Sequence, residues 1–103
     1  MNAIISIGRG RQTDPNYLGN AEWSAFQAYL DESIQRFGHI VSRTTGYSTS
    51  DSWGTEQSYT VVLEDLVSSE IPLLRSALAS LATLYSQDAI ALTVGQTDLV
   101  GQA

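Results

Sequence analysis

Apolar residues recur along the chain with two different spacings, and these spacings predict its secondary structure. From Trp23 to Phe37 they lie three or four positions apart, which is the period of one face of a helix. A second stripe of the same period occupies the last third of the chain. Over residues 2–8, 57–64 and 89–94 they alternate with other residues, as in a strand with one buried face.

The first part of the chain is predicted to form a strand followed by a helix. Residues 2–8 are rich in β-branched isoleucine and end at a glycine, and Ala3, Ile5 and Ile7 would share one face. The first helix is expected over residues 20–37, with Asn20 as its N-cap and Gly38 as a left-handed C-terminal cap. Its core stripe is Trp23, Phe26, Leu30, Ile34 and Phe37.

The rest of the chain is predicted to form two strands, a helix and a last strand. Strands at 39–48 and 57–64 are expected to pair antiparallel, joined by a long polar connection over residues 46–56. Ser68 or Ser69 would cap the second helix, with Pro72 in its first turn. The last strand is expected within 88–95. The core stripe of the second helix is Ile71, Leu74, Leu78, Leu81 and Tyr85.

This order predicts an α+β fold: a ferredoxin-like βαββαβ domain over residues 1–103. Right-handed crossovers would place both helices on one face of a four-stranded antiparallel sheet. The other face would meet water, hold a ligand or contact a second chain. Its expected residues are small or polar: Ser6, Ser58, Thr60, Ala89, Ala91 and Thr93.

The second helix carries almost no charge outside its core stripe. Between Leu73 and Gln87 the only charged residue is Arg75. The remaining face consists of Ser76, Ala79, Ser80, Thr83 and Ser86. This pattern fits either an exposed serine-rich face or, because solvated helices usually carry more charge, a face that packs on another copy in a homo-oligomer.

Composition excludes several classes of function. A formal net charge of −6, with five arginines and no lysine, opposes binding to nucleic acid or to anionic membranes. The chain has no cysteine, no apolar run of membrane-spanning length and no signal-peptide pattern, so we expect a cytoplasmic protein. No catalytic residue, cofactor or metal site is predicted. His39 and the acidic pairs Asp31-Glu32 and Glu64-Asp65 form no motif.

Two segments carry candidate binding residues. In Gly8-Arg9-Gly10-Arg11 the glycines allow close approach of an anion and the arginines can grip it, although the spacing is neither a dinucleotide fingerprint nor a Walker loop. The alternative is a turn with two solvated arginines. The 46–56 connection offers Tyr47 and Trp53 for stacking, and the alternative is a hairpin tip whose Trp53 folds back on the core.

Arg43 is expected on the open face of the sheet, where it would join these residues. The predicted ligand-binding set is therefore Arg9, Arg11, Arg43, Tyr47 and Trp53. Guanidinium groups beside aromatic rings suit a small anionic, aromatic molecule such as a nucleotide.

Two short segments, residues 22–26 (Glu-Trp-Ser-Ala-Phe) and 87–90 (Gln-Asp-Ala-Ile), resemble parts of small bacterial ferredoxin-like proteins. That resemblance implies the fold and carries no catalytic residues. The small size and the neutral second helix also resemble phage-encoded inhibitors, some of which are oligomeric traps for nucleotide signals. This second resemblance implies that the chain is a non-enzymatic, homo-oligomeric protein that binds a small anionic ligand.

Two other functions remain open at the level of sequence. One is a protein–protein inhibitor or structural subunit, which would meet a protein partner through its acidic surface and residues 46–56. The other is a small enzyme, in which two chains pair as a dimeric α+β barrel with His39 or a carboxylate as base. The fold does not decide among the three, since it hosts all of them.

Overall fold

The structure is a computed structural model that describes residues 1–50, 54–98, 100 and 101. Four strands and two helices alternate in the predicted order. In chain order they are β1 (Asn2–Gly8), α1 (Asn20–Ile34), β2 (His39–Ser50), β3 (Gly54–Glu64), α2 (Ile71–Leu84) and β4 (Ala91–Gly95). Short 3₁₀ turns, Gln35–Phe37 and Ser68–Glu70, follow α1 and precede α2.

The four strands form one antiparallel sheet in the order β2-β3-β1-β4, which confirms the ferredoxin-like fold. β1 lies inside the sheet, with Ile5 opposite Val61 of β3 and Leu92 of β4. The core lies between the sheet and the helices. It contains the predicted faces of β1, α1 and β3, which are Ala3, Ile5, Ile7, Trp23, Phe26, Leu30, Ile34, Phe37, Tyr59, Val61 and Leu63.

No helix of the described residues covers the opposite face of the sheet. Ser6 and Thr60 lie there as predicted, and their hydroxyl oxygens are 2.8 Å apart. The prediction was wrong for Ala89, because β4 begins only at Ala91, once the chain has crossed from the end of α2 to the sheet. Ile4, which is 46% exposed, also lies on this face, since it alternates with the buried Ala3 and Ile5.

Both predicted caps of α1 were wrong. Gly19 is the N-cap, and Asn20 is the first helical residue. Gly38 has a φ of 174°, which is extended backbone and not a left-handed cap. A glycine is needed at position 38 for a different reason: a Cβ there would collide with the backbone carbonyl oxygen of Glu64 in β3.

A 3₁₀ turn leads into helix α2, and the N-cap of the helix is Glu70. The prediction of a serine cap was therefore wrong. Leu74, Leu78 and Leu81 are buried as predicted, whereas Leu73 and Leu84 are 61% and 68% exposed. Its 14 residues span about 21 Å at the helical rise. Among the described residues, no helix is long and apolar enough to cross a membrane.

Residues 46–56 are mostly paired strand, where a long loop was predicted. The ladder between β2 and β3 continues from Gly46↔Ser58 to Ser50↔Gly54. β1 pairs with β3 only as far as Gly8↔Ser58, and the amide of Arg9 adds one bond to the carbonyl of Gln57, at 2.9 Å. Residues 47–50 and 54–57 therefore form a two-stranded hairpin arm that extends past the end of β1.

Candidate ligand site

Arg9 follows β1 directly and is held by three hydrogen bonds. Its Nε donates to the carbonyl of Leu18 at 2.6 Å, and its Nη1 and Nη2 donate to the side-chain oxygens of Gln57 and Asn20 at 2.9 and 2.7 Å. The guanidinium carbon also lies 4.7 Å from the centre of the Tyr17 ring. The side chain thus joins β3, the first turn of α1 and the loop between β1 and α1.

Arg11 and Asp14 close the tip of that loop. Arg11 Nη2 lies 3.1 Å from Asp14 Oδ1, and the backbone amide of Arg11 donates to Asp14 Oδ2, also at 3.1 Å. The hydrogen bonds from Arg11 lower the pKa of Asp14, so this carboxylate stays charged. Gly10 permits the turn between the two arginines, because its φ of 88° is one that side chains rarely tolerate.

The loop and the hairpin arm enclose a concavity of about 460 Å³, called the arginine concavity below. It is lined by Arg9, Gly10, Arg11, Gln12, Thr13, Tyr17, Tyr47, Thr55 and Gln57. Three of the five predicted ligand-binding residues, Arg9, Arg11 and Tyr47, therefore meet at one place. Tyr47 is 73% exposed, so its ring is free to stack on a bound molecule.

Arg43 does not line this concavity. It lies on the helix side of β2, opposite Val61, where its Nε donates to Asp31 Oδ2 of α1 at 2.7 Å. This bond to Asp31 raises the pKa of Arg43. The expected open-face position was wrong because a β-bulge at Val41 inserts one residue, which turns every later side chain of β2 to the other face.

Trp53, the fifth predicted residue, and the neighbouring Asp51 lie outside the described residues. Sequence reasoning missed Tyr17 and Gln57, which also line the concavity. Gln57 follows from the register alone, since it is the residue of β3 just past the Gly8↔Ser58 pair, beside Arg9. No motif or spacing in the sequence singles out Tyr17, and it lies beside Arg9 only because of the conformation of the loop between β1 and α1.

Among the described residues, the acidic side chains form no metal site. Within the described part of the chain, no group of three or more His, Asp or Glu side chains could hold a metal ion. His39 is exposed and lies opposite Glu64 at one end of the β2–β3 ladder. Glu56 reaches over Gly8, whose missing side chain leaves that space.

Comparison with models of known protein families and with characterised proteins gives no match to this chain.

Proposed function

We propose that this is a non-enzymatic, homo-oligomeric binding protein that holds a small anionic, nucleotide-like ligand in the arginine concavity. The observation that carries the proposal is the convergence there of Arg9 and Arg11 with the rings of Tyr17 and Tyr47. The volume of about 460 Å³ falls in the usual range for small-molecule sites.

Charge supports an anionic ligand at this position. Arg9 and Arg11 line the arginine concavity, and its described lining includes no acidic side chain, although the chain as a whole has a formal net charge of −6. A phosphate attracted to the protein therefore has a locally favourable place to bind.

Arg9 is already fixed for such a contact. Three of the five N–H groups of its guanidinium donate to Leu18, Gln57 and Asn20, which leaves two N–H groups for a ligand oxygen. Because the side chain is held before binding, the ligand does not bear the entropy cost of ordering it. We further propose a cytoplasmic location, which is the compartment that the sequence predicts.

Native mass spectrometry of the protein purified from a cellular host tests the proposal first. We expect a symmetric oligomer that carries extra mass equal to a small anion or nucleotide. Isothermal titration with a panel of nucleoside mono- and diphosphates then measures affinity. Binding that weakens with added salt would be consistent with phosphate contacts to arginine.

Two pairs of variants locate the site. Tyr47→Ala and Arg11→Ala should each weaken binding at least tenfold. Tyr29→Ala and Arg75→Ala remove an exposed tyrosine and an exposed arginine elsewhere, on α1 and α2, and should leave binding unchanged. Equal affinity in all four variants would exclude the arginine concavity as the site.

The hairpin arm favours a second candidate, an inhibitor or structural subunit that binds a protein. Its residues 47–50 and 54–57 form a ladder with each other beyond the end of β1, and Gln57 also accepts a hydrogen bond from the amide of Arg9. Such an arm offers a backbone ladder beyond the end of β1 to a partner. Capture of one specific protein that is lost on deletion of residues 49–55, with no co-purifying small molecule, would favour this function.

A further inference from the structure

The outer edge of β2 is the longest unpaired backbone edge of the sheet. β2 has 12 residues and lies at the end of the strand order, so only β3 pairs with it. At the usual rise the edge runs for about 40 Å and presents a row of unpaired amide and carbonyl groups. The other edge strand, β4, has only five residues.

This edge lacks the features that usually keep an edge strand from pairing. β2 contains neither lysine nor proline, which commonly block strand addition. Its one arginine, Arg43, is bound to Asp31 over the helix face. The single bulge lies near the start of the strand, and from Ser42 to Ser50 the ladder with β3 is regular.

Charge favours a second copy of the same chain as the partner. The protein has 11 acidic residues, yet residues 33–50 contain none, and their basic side chains are Arg36, His39 and Arg43. Two copies can therefore bring their β2 strands together without a carboxylate on either strand. Each chain carries a formal net charge of −6, so two copies repel each other less when they meet along a strand that has no acidic residue.

We propose that two copies pair antiparallel through β2, which joins their sheets into one continuous eight-stranded sheet with all four helices on one face. The proposal rests on the homo-oligomeric part of the proposed function and is independent of the ligand. A two-fold axis perpendicular to the sheet must pass between one residue of β2 and the same residue of the second copy, because directly opposed residues share a face. Thr44, Thr45 and Gly46 are the central positions of the edge.

The pairing places the two Arg43–Asp31 ion pairs on the same face of the joined sheet. The neutral face of α2 and the helix-free face of the sheet remain outside the contact.

Single cysteines test the geometry, since the chain contains none of its own. Thr44→Cys, Thr45→Cys and Gly46→Cys are made separately and oxidised mildly. We expect at least one of them to form an intermolecular disulfide rapidly, at the position next to the axis. Gly46 tolerates the change because no atom lies within 4 Å of where its Cβ would be.

Two control cysteines represent the other candidate surfaces. Thr93→Cys lies on β4 and on the open face of the sheet, and Thr83→Cys lies on the neutral face of α2. Neither should cross-link at the rate of the β2 variants. Faster cross-linking of either control would overturn pairing through β2, but the conclusion that the chain forms a homo-oligomer would stand.

Sedimentation and charge variants supply the independent measurement. The wild-type protein should sediment at multiples of 22.4 kDa, twice the 11.2 kDa of one chain. Thr44→Glu and Thr45→Glu each set like charges near the axis and should weaken dimerisation at least tenfold, whereas Thr93→Glu should not. A wild-type monomer at tens of micromolar protein would overturn this proposal and the homo-oligomer together, while leaving ligand binding to its own test.

Discussion

The hydroxyl of Tyr59 donates to the carboxylate of Asp31, with the two carboxylate oxygens 2.8 and 3.0 Å away. Arg43 donates to the same carboxylate, so a single side chain of α1 holds both β3 and β2. Burial first, and then the bond to Asp31, raises the pKa of Tyr59 to about 12. The neutral phenol is therefore the form that the fold stabilises.

The stability of the protein should fall in alkali through Tyr59. The pKa in the unfolded chain is about 10, so the contribution is complete below pH ~10 and is lost as pH rises to about 12. The loss is on the order of 2 kcal/mol in the free energy of unfolding. Urea unfolding across this pH range should show a steeper loss in the wild type than in Tyr59→Phe. Equal slopes in the two proteins would contradict this role of Tyr59.

Asp31 should matter more for stability than Arg43, although the two form an ion pair. Arg43→Gln removes a half-exposed partner and should cost less than about 1 kcal/mol. Asp31→Ala leaves the buried Tyr59 hydroxyl without its acceptor and should cost about 1–3 kcal/mol. Thermal unfolding ranks the two variants. If Arg43→Gln proved the more destabilising, the tyrosine bond would not be the main interaction of Asp31.

Gly38→Ala should destabilise the protein strongly. The new Cβ would collide with the carbonyl oxygen of Glu64, a backbone atom of the neighbouring strand that cannot move without breaking the ladder. We expect a loss of about 1–3 kcal/mol, as for other overpacked sites. Gly46→Ala, within β2, is the matched control, because the space around that position is open. Similar stability of the two variants would show that position 38 relaxes.

Ser86→Gly should stabilise the protein. Ser86 has a φ of 55° just after α2, where the amide of Gln87 donates to the carbonyl of Ala82 at 2.8 Å in a helix-ending motif that favours glycine. Removing the side chain should add about 0.5–1 kcal/mol to the free energy of unfolding. Ser76→Gly, an exposed position inside α2, should instead lose about 0.5 kcal/mol. Chemical denaturation distinguishes the two signs.

The strands and helices of this fold could be predicted because the apolar spacing within each short segment identifies its buried face. The alternation of Ala3, Ile5 and Ile7 and the stripe from Trp23 to Phe37 both describe buried faces without reference to any other part of the chain. Caps were less predictable. Asn20 has the side chain of an N-cap, yet its oxygen accepts from Arg9, a partner that only the folded chain supplies.

The candidate site was only partly predictable, for a related reason. Residues 46–50 consist of glycine, serine, threonine and tyrosine, which suit a loop as well as a strand, and pairing with β3 decides the outcome. The bulge at Val41 has no glycine or proline to mark it, and it determines the face on which Arg43 lies. Arg9, Arg11 and Tyr47 come together because the register of β1 with β3 brings the loop beside the hairpin arm.

The central place of β1 in the sheet has a consequence for how the chain folds. β2 and β3 are neighbours in sequence and can pair early. β1, however, must pair with β3 across 50 to 60 residues (Gly8↔Ser58 to Ala3↔Leu63) and with β4 across 85 to 93 residues (Ser6↔Ala91 to Asn2↔Gly95). Contacts between such distant segments slow folding, because a long loop must close before they form. During synthesis, β1 leaves the ribosome before the other strands. The edge of β1 that pairs with β4 therefore stays unpaired until almost the whole domain has been made.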